Sequence, residues 1–247
     1  MSESLVLVFY SLLFIVAFLY ASVGHGGASG YLALMAVFGF APAVMKPTAL
    51  LLNLFVSMVS FIQFYRGGHF KWRLFWPFAL ASIPLSYVGG LMSVDGTSYK
   101  RILGLLLLIP VIRFTFFNKL QTTETKENSI GLSLLIGGVI GLLSGMIGIG
   151  GGIILSPVLL LLKWADQKQA AAVSAIFIFV NSVSGLMGQL TKGIQFTQDM
   201  YLYVAIAFAG GLAGAYMGSK KFDQTILRGI LSCALAIAAY KLLFTKA

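Results

Sequence analysis

Two glycine clusters are the stretches of this chain best suited to chemistry: residues 23–29 read VGHGGAS and residues 147–153 read IGIGGGI. Each interrupts an apolar run, and each is followed at once by residues that resume it. In hydrocarbon every backbone amide and carbonyl needs a partner, so a broken helix is tolerated only inside protein or along a cavity. A helix that restarts there leaves its first N–H groups unpaired, and with the helix dipole these attract an anion. Gly26 and Gly27 in the first cluster, and Gly150, Gly151 and Gly152 in the second, are the expected breaks; Ala28 and Ile153 would open the helices that follow.

Side chains near the breaks complete the candidate set. Asn53 and Asn181 stand in similar surroundings downstream of the two clusters, and each offers an amide that can donate to an anion or join two helices. Ser57 and Gln189 lie further along the same runs. His25 has no titratable counterpart, because Ile149 occupies the matching position. It can bind the anion, carry a coupled proton or satisfy a carbonyl freed by the break, and an ionisable residue at membrane depth is a functional candidate by default. His69 sits among Gly67, Gly68, Lys71 and Arg73 and reads as a solvated loop residue.

Other chemistries lack parts. A phosphate-binding loop needs Lys and Ser or Thr directly after its glycines, and Ile153 and Ile154 stand there instead; nor is there a dinucleotide fingerprint. Two histidines and one cysteine, Cys233, exclude an internal disulfide and leave no Cys-rich metal centre, so neither metal nor cofactor is expected. The seven acidic residues fall at segment ends or in loops, whereas a cation path wants carboxylates along it. An enzyme is not expected, and an anion path is.

The elements that must position these residues are membrane spans. The chain is 59% hydrophobic and 10% charged, with a mean hydropathy of +0.94, far from the roughly one-quarter charged content of soluble domains. Apolar runs near span length occur at 5–20, 50–64, 73–92, 102–117, 130–143, 170–186, 200–218 and 226–244. No Lys or Arg precedes Lys46, so the first run reads as a retained span rather than a cleaved leader. The net charge of +10 is scattered between spans and forms no basic face, which argues against nucleic acid and for a lipid bilayer.

The two halves repeat. An offset of 124 residues superposes the glycine clusters, and SYVGG at 86–90 parallels GAYMG at 214–218. The expected organisation is a first repeat at 1–117, a polar linker at 118–129 and a second repeat at 130–247. Each half supplies two short segments meeting at a glycine break and then three fuller spans. The fold expected is an all-α integral membrane protein of two inverted repeats, since an odd number of segments turns the second half over. Gly137, Gly141 and Gly145, four apart, read as helix-packing contacts.

Following the chain through ten segments puts Arg66, Lys71, Arg73, Arg113, Lys119, Lys126, Lys163, Lys168, Lys220, Lys221 and Arg228 on one side. Lys46, Lys100, Arg101, Lys192, Lys241 and Lys246 fall on the other. The positive-inside rule makes the richer side cytoplasmic and places both termini outside, in a multi-pass protein of the cell membrane.

The segments SVGHGGASGY at 22–31 and GLLSGMIGIGGGIILSPVLL at 141–160, with KPTALLLNL and AAAVSAIFIFVNS after them, resemble the TauE/SafE sulfite exporter family. The resemblance covers essentially the whole chain. It implies transport of a small sulfur-containing anion such as sulfite, a sulfonate or a sulfoacetate-like compound, with Gly26, Gly27 and Gly150 to Gly152 lining a central site and Asn53 and Asn181 beside it. The expected mechanism is secondary transport by alternating access, with an anion-selective channel as the alternative and a folded, multi-span bundle in either case.

Overall fold

A computed structural model describes residues 3–22, 26–116, 125–218 and 224–244. Ten α-helices and no strand make up these residues: α1 (Glu3–Ser22), α2 (Ala28–Val37), α3 (Pro42–Arg66), α4 (Trp72–Leu91), α5 (Gly96–Phe116), α6 (Ile130–Ile147), α7 (Gly152–Leu161), α8 (Gln167–Thr191), α9 (Gln198–Gly218) and α10 (Gln224–Phe244). Five of them, α1, α3, α4, α6 and α8, are long and apolar enough to cross a bilayer. Local signals set their starts. Pro42 opens α3 just after an extended Ala41. A capping box opens α8, in which Asp166 accepts from the Lys168 and Gln169 amides while Gln169 reaches back to the Asp166 amide. Asp95 caps α5 through the Thr97 and Ser98 amides. Hydrogen bonds from Ser98 and then Thr97 hold its carboxyl below the usual carboxylate range.

The short helices fold back on the long ones. Phe9 near the start of α1 meets Phe38 and Phe40 just past the end of α2, at ring distances of 5.2 and 5.1 Å, so α1 and α2 form a hairpin with Gly26 and Gly27 near its tip. Tyr20 and Ser29 join its two arms by a 2.7 Å hydrogen bond. The α6–α7 pair does the same at the other end. Phe78 touches Gly137 in α6 and lies 6.2 Å from Trp164 just beyond α7.

Helix packings come in matched sets. α4 on α6 is matched by α9 on α1, α4 on α8 by α9 on α3, and α2 on α3 by α7 on α8, while α3–α8 and α5–α10 match themselves. Exchanging each helix for the one five places away in the chain converts one set into the other. Some of the basic residues can be placed along the bundle. Lys46 and Lys192 reach the end of α4, and Lys241 donates to the Val37 carbonyl at the end of α2, so three of the six minority-side cations share one end of the bundle. At the opposite end Phe61, Tyr65, Phe70, Trp72 and Phe75 form an aromatic cluster beside Arg66, Lys71 and Arg73. Its exposed Tyr65 and Trp72 suit a headgroup boundary.

Small residues bring α4 and α6 into backbone contact. A Cβ on Gly137 would stand 2.5 Å from the Phe78 carbonyl oxygen, and Cβ atoms on Gly141 and Gly145 would overlap the carbonyl oxygens of Ser82 and Ser86. The four-residue spacing therefore does what it predicts: each glycine receives one turn of α4. Gly210 and Gly214 of α9 receive Phe14 and Phe18 of α1 in the same way. Gly141→Ala gains about 1 kcal/mol of helix propensity. It forces two backbones apart, and overpacking of this kind costs roughly 1–3 kcal/mol. The expected outcome is a lower melting temperature of the detergent-solubilised protein. Gly131→Ala, which meets open space, is expected to raise it slightly.

Candidate functional site

The two hairpin tips meet at one side chain. A Cβ on Gly26 would stand 3.4 Å from Asn53 Oδ1 and 3.1 Å from Ile178 Cδ1. A Cβ on Gly150 would stand 2.6 Å from Asn53 Nδ2 and 2.8 Å from Ile178 Cγ2. Asn53, from the middle of α3, thus turns its carbonyl to the first break and its amide to the second. Ile178, from the middle of α8, backs both. Asn53 is fully buried; Nδ2 donates to Ser182 Oγ at 3.3 Å, and Oδ1 has no partner among the described residues.

Both breaks expose uncapped helix starts. Gly27 and Gly151 are the N-cap residues of α2 and α7, each in the left-handed region (φ 86° and 78°) and each without a side-chain hydrogen bond to the helix it opens. The first intrahelical donors are Tyr31 to the Gly27 carbonyl and Ile154 and Leu155 to the Gly151 carbonyl, so among the described residues the N–H groups before them have no intrahelical partner. A small pocket at the tips is lined by Tyr20, Gly26, Gly27, Ala28 and Ser29 of the first half and by Ile149, Ile153 and Ile178 of the second. Its free space is about that of one water molecule.

Of the residues expected from sequence, Gly26, Gly27, Ala28, Ile153 and Asn53 come together here, with Gly150 against Asn53 and Gly152 against Ile178. Gly151 caps α7 behind them, against Ile140 and Phe177. Ser57 is one turn beyond Asn53, fully buried, and its hydroxyl has no partner among the described residues. Asn181 is also fully buried but turns its amide back to the Phe177 carbonyl, 2.8 Å away, while its own backbone carbonyl accepts from Ser86. Gln189 lies elsewhere: it donates to the Gly90 carbonyl at the end of α4. His25 lies outside the described residues, and so do Val23 and Gly24.

The packing register explains the difference between the two asparagines. α3 and α8 begin 125 residues apart, close to the offset of the glycine clusters, so the structural counterpart of Asn53 is Ile178 and that of Ser57 is Ser182. Contacts obey this register: Gly26 meets Asn53 and Ile178, and Gly150 meets the same two. Asn181 is one turn further along. Sequence reading missed Ile178 because a shared asparagine is a stronger visual match than an isoleucine.

A buried cation stands beyond the site. Lys46 is only 7% exposed, and its ammonium donates to the carbonyls of Gly89, Gly90 and Met92 at 3.4, 3.5 and 3.2 Å. These are the last carbonyls of α4, where the helix dipole favours positive charge. Gly148 abuts the Lys46 backbone, which links the second break to this end of the bundle. No cluster of metal-binding side chains occurs among the described residues.

A buried amide flanked by two interrupted, uncapped helices in an all-helical multi-span protein defines a membrane transport protein rather than a soluble binding module. The comparisons with known proteins agree. The TauE/SafE sulfite exporter family matches residues 9–242, and the chain belongs to that family of membrane transporters. It is 37% identical over 235 residues to a probable membrane transporter protein, y4hK, of Sinorhizobium fredii, an alignment that covers 94% of this chain and 95% of that one. A probable membrane transporter protein of Methanocaldococcus jannaschii is 27% identical over 182 residues, 72% of this chain and 68% of the other. Sulfite exporter TauE/SafE family protein 6 of Arabidopsis thaliana is 31% identical over 146 residues, 53% of this chain and 34% of its own. No solved structure gives a significant match.

Proposed function

We propose that the protein is a secondary transporter of small sulfur-containing anions, sulfite or organic sulfonates, that binds its substrate between the amino ends of α2 and α7. The observation that carries this reading is the convergence of two uncapped helix starts on Asn53. Unpaired N–H groups and two positive dipole ends favour an oxyanion there, and the second N–H of the Asn53 amide adds a donor. The described acidic residues Glu3, Asp95, Glu127, Asp166 and Asp199 are at helix ends or in connections, so no carboxylate opposes an anion at the centre. The isoleucine wall suits a substrate with a hydrocarbon part beside its charged head. The family's description as sulfite exporters points to the same class of anion.

The matched helix packings support two repeats of inverted orientation, each contributing one hairpin tip. A pocket with room for about one water cannot hold sulfite, so binding requires one repeat to rock against the other, as alternating access demands. The charge distribution supports a cell-membrane protein with the Arg66–Lys71–Arg73 end in the cytoplasm and both termini outside. A monovalent anion leaving a cell gains about 2.3 kcal/mol per 100 mV of inside-negative potential, so export can run without coupling while uptake needs a proton or an exchanged anion. His25 remains the candidate for carrying such a proton.

Purified protein in liposomes tests this. Sulfite, methanesulfonate or sulfoacetate trapped inside should leave by a saturable process that an imposed potential accelerates. Folded protein that moves none of them, or that passes current in unitary channel steps, would overturn the reading.

A further inference from the structure

Three tyrosines are completely buried among the described residues, and two of them are satisfied. Tyr20 pairs with Ser29 at 2.7 Å, and Tyr99 donates to the Ile147 carbonyl at 2.7 Å. The third, Tyr31, is 0% exposed and its hydroxyl has no partner among the described residues. Its position explains where that hydroxyl points. Tyr31 is the fourth residue of α2, and a helical side chain leans towards the helix start. The ring therefore runs back along the first turn, and its Oη lies so near the N-cap that a Cβ on Gly27 would stand 2.6 Å from it. Gly27 lines the pocket between the hairpin tips, and the Tyr31 hydroxyl stands against Gly27 just outside that lining. A buried hydroxyl without a partner is unfavourable and asks for an explanation.

From this geometry we infer that the Tyr31 hydroxyl is a substrate-binding donor, which with the α2 amides grips one oxygen of the transported oxyanion. The inference rests on the anion reading above and adds a specificity-determining side chain to it. A phenol O–H given to a charged oxygen makes a short, charge-assisted bond, stronger than a neutral one. It also makes the site lopsided. At the offset of the glycine clusters the counterpart of Tyr31 is Leu155, buried and apolar, so only the first half supplies a side-chain hydroxyl of this kind. The oxyanion head then faces α2, and any hydrocarbon part faces Ile149, Ile153 and Ile178.

Tyr31→Phe removes the hydroxyl and nothing else. Binding of sulfite and of methanesulfonate to the detergent-solubilised protein, read by calorimetry, should weaken roughly ten- to a hundredfold. Without anion the variant should melt at or above the wild-type temperature, since no bond is lost. Tyr99→Phe supplies the contrast: it breaks a buried hydrogen bond to Ile147, so it should melt lower and bind as the wild type does. A Tyr31→Phe protein with unchanged affinity overturns the role of Tyr31 alone. So does one that melts as low as Tyr99→Phe without anion, because the hydroxyl would then have a structural partner. A folded wild-type protein that binds neither probe overturns the anion reading and, with it, this inference.

Discussion

Liposomes carrying Gly150→Ala are expected to show sulfite or sulfonate flux at background level, although the variant inserts and folds. Two effects act at this one position. The backbone of Gly150 has a φ of 70°, where an alanine costs roughly 1–2 kcal/mol. The new Cβ would also stand 2.6 Å from Asn53 Nδ2 and 2.8 Å from Ile178 Cγ2, closer than real Cβ contacts come. The strain alone is tolerable for a bundle of ten helices. The displacement is not tolerable for the site, because the atom pushed aside is the amide on which both hairpin tips converge. Melting temperature should therefore fall by a few degrees while transport disappears. Gly131→Ala, in the first turn of α6 with nothing within 4 Å, should transport normally. Wild-type flux from Gly150→Ala would mean that the second break serves packing and not the substrate.

Much of the fold was legible in the sequence for reasons that are specific to membranes. Hydrocarbon forbids unpaired backbone, so apolar runs become helices and glycine clusters within them become breaks. α2 begins at the expected Ala28, and α7 begins at Gly152, one residue before the expected Ile153. The packing role of Gly137, Gly141 and Gly145 was readable because a four-residue spacing has one physical use on a helix buried against another.

The site was less legible, because its geometry depends on register. The first cluster and the second differ by 124 residues, the starts of α3 and α8 by 125, and the two asparagines by 128. On a helix, three residues amount to most of a turn. That difference carries Asn181 away from the place its partner holds: it hydrogen-bonds to Phe177 and Ser86 while Ile178 occupies the centre. Gln189 follows the same logic, being eleven residues past Ile178 and therefore at the end of α4, beside Lys46. Tyr31 escaped notice for a different reason. In sequence it is one aromatic among many, and only its missing hydrogen-bond partner sets it apart from Tyr20 and Tyr99.

Substituting Asn53 tests the sign of the substrate's charge. Asn53→Ala removes a donor at the meeting point of the two tips; a hydrogen bond to a charged group contributes about 1.5–3 kcal/mol, so affinity should fall roughly ten- to a hundredfold. Asn53→Asp keeps the shape and exchanges the amide for a carboxylate. Two like charges 4 Å apart repel by about 4 kcal/mol at an effective dielectric constant of 20, which corresponds to roughly a thousandfold. The aspartate variant should therefore be far more impaired than the alanine variant at alkaline pH, where the carboxylate is ionised, and should recover towards it as acid neutralises the group. Both variants lose the Nδ2 donor to Ser182, but the Ser182 hydroxyl can donate to the aspartate in its place, so the change with pH within the aspartate variant carries the comparison. A substrate that is a cation, or an anion that never comes near α3, would give a different pattern. In the first case Asn53→Asp would bind more tightly than Asn53→Ala, and in the second the two would be equal at every pH. Either result in a flux assay on reconstituted protein would remove the anion from between α2 and α7.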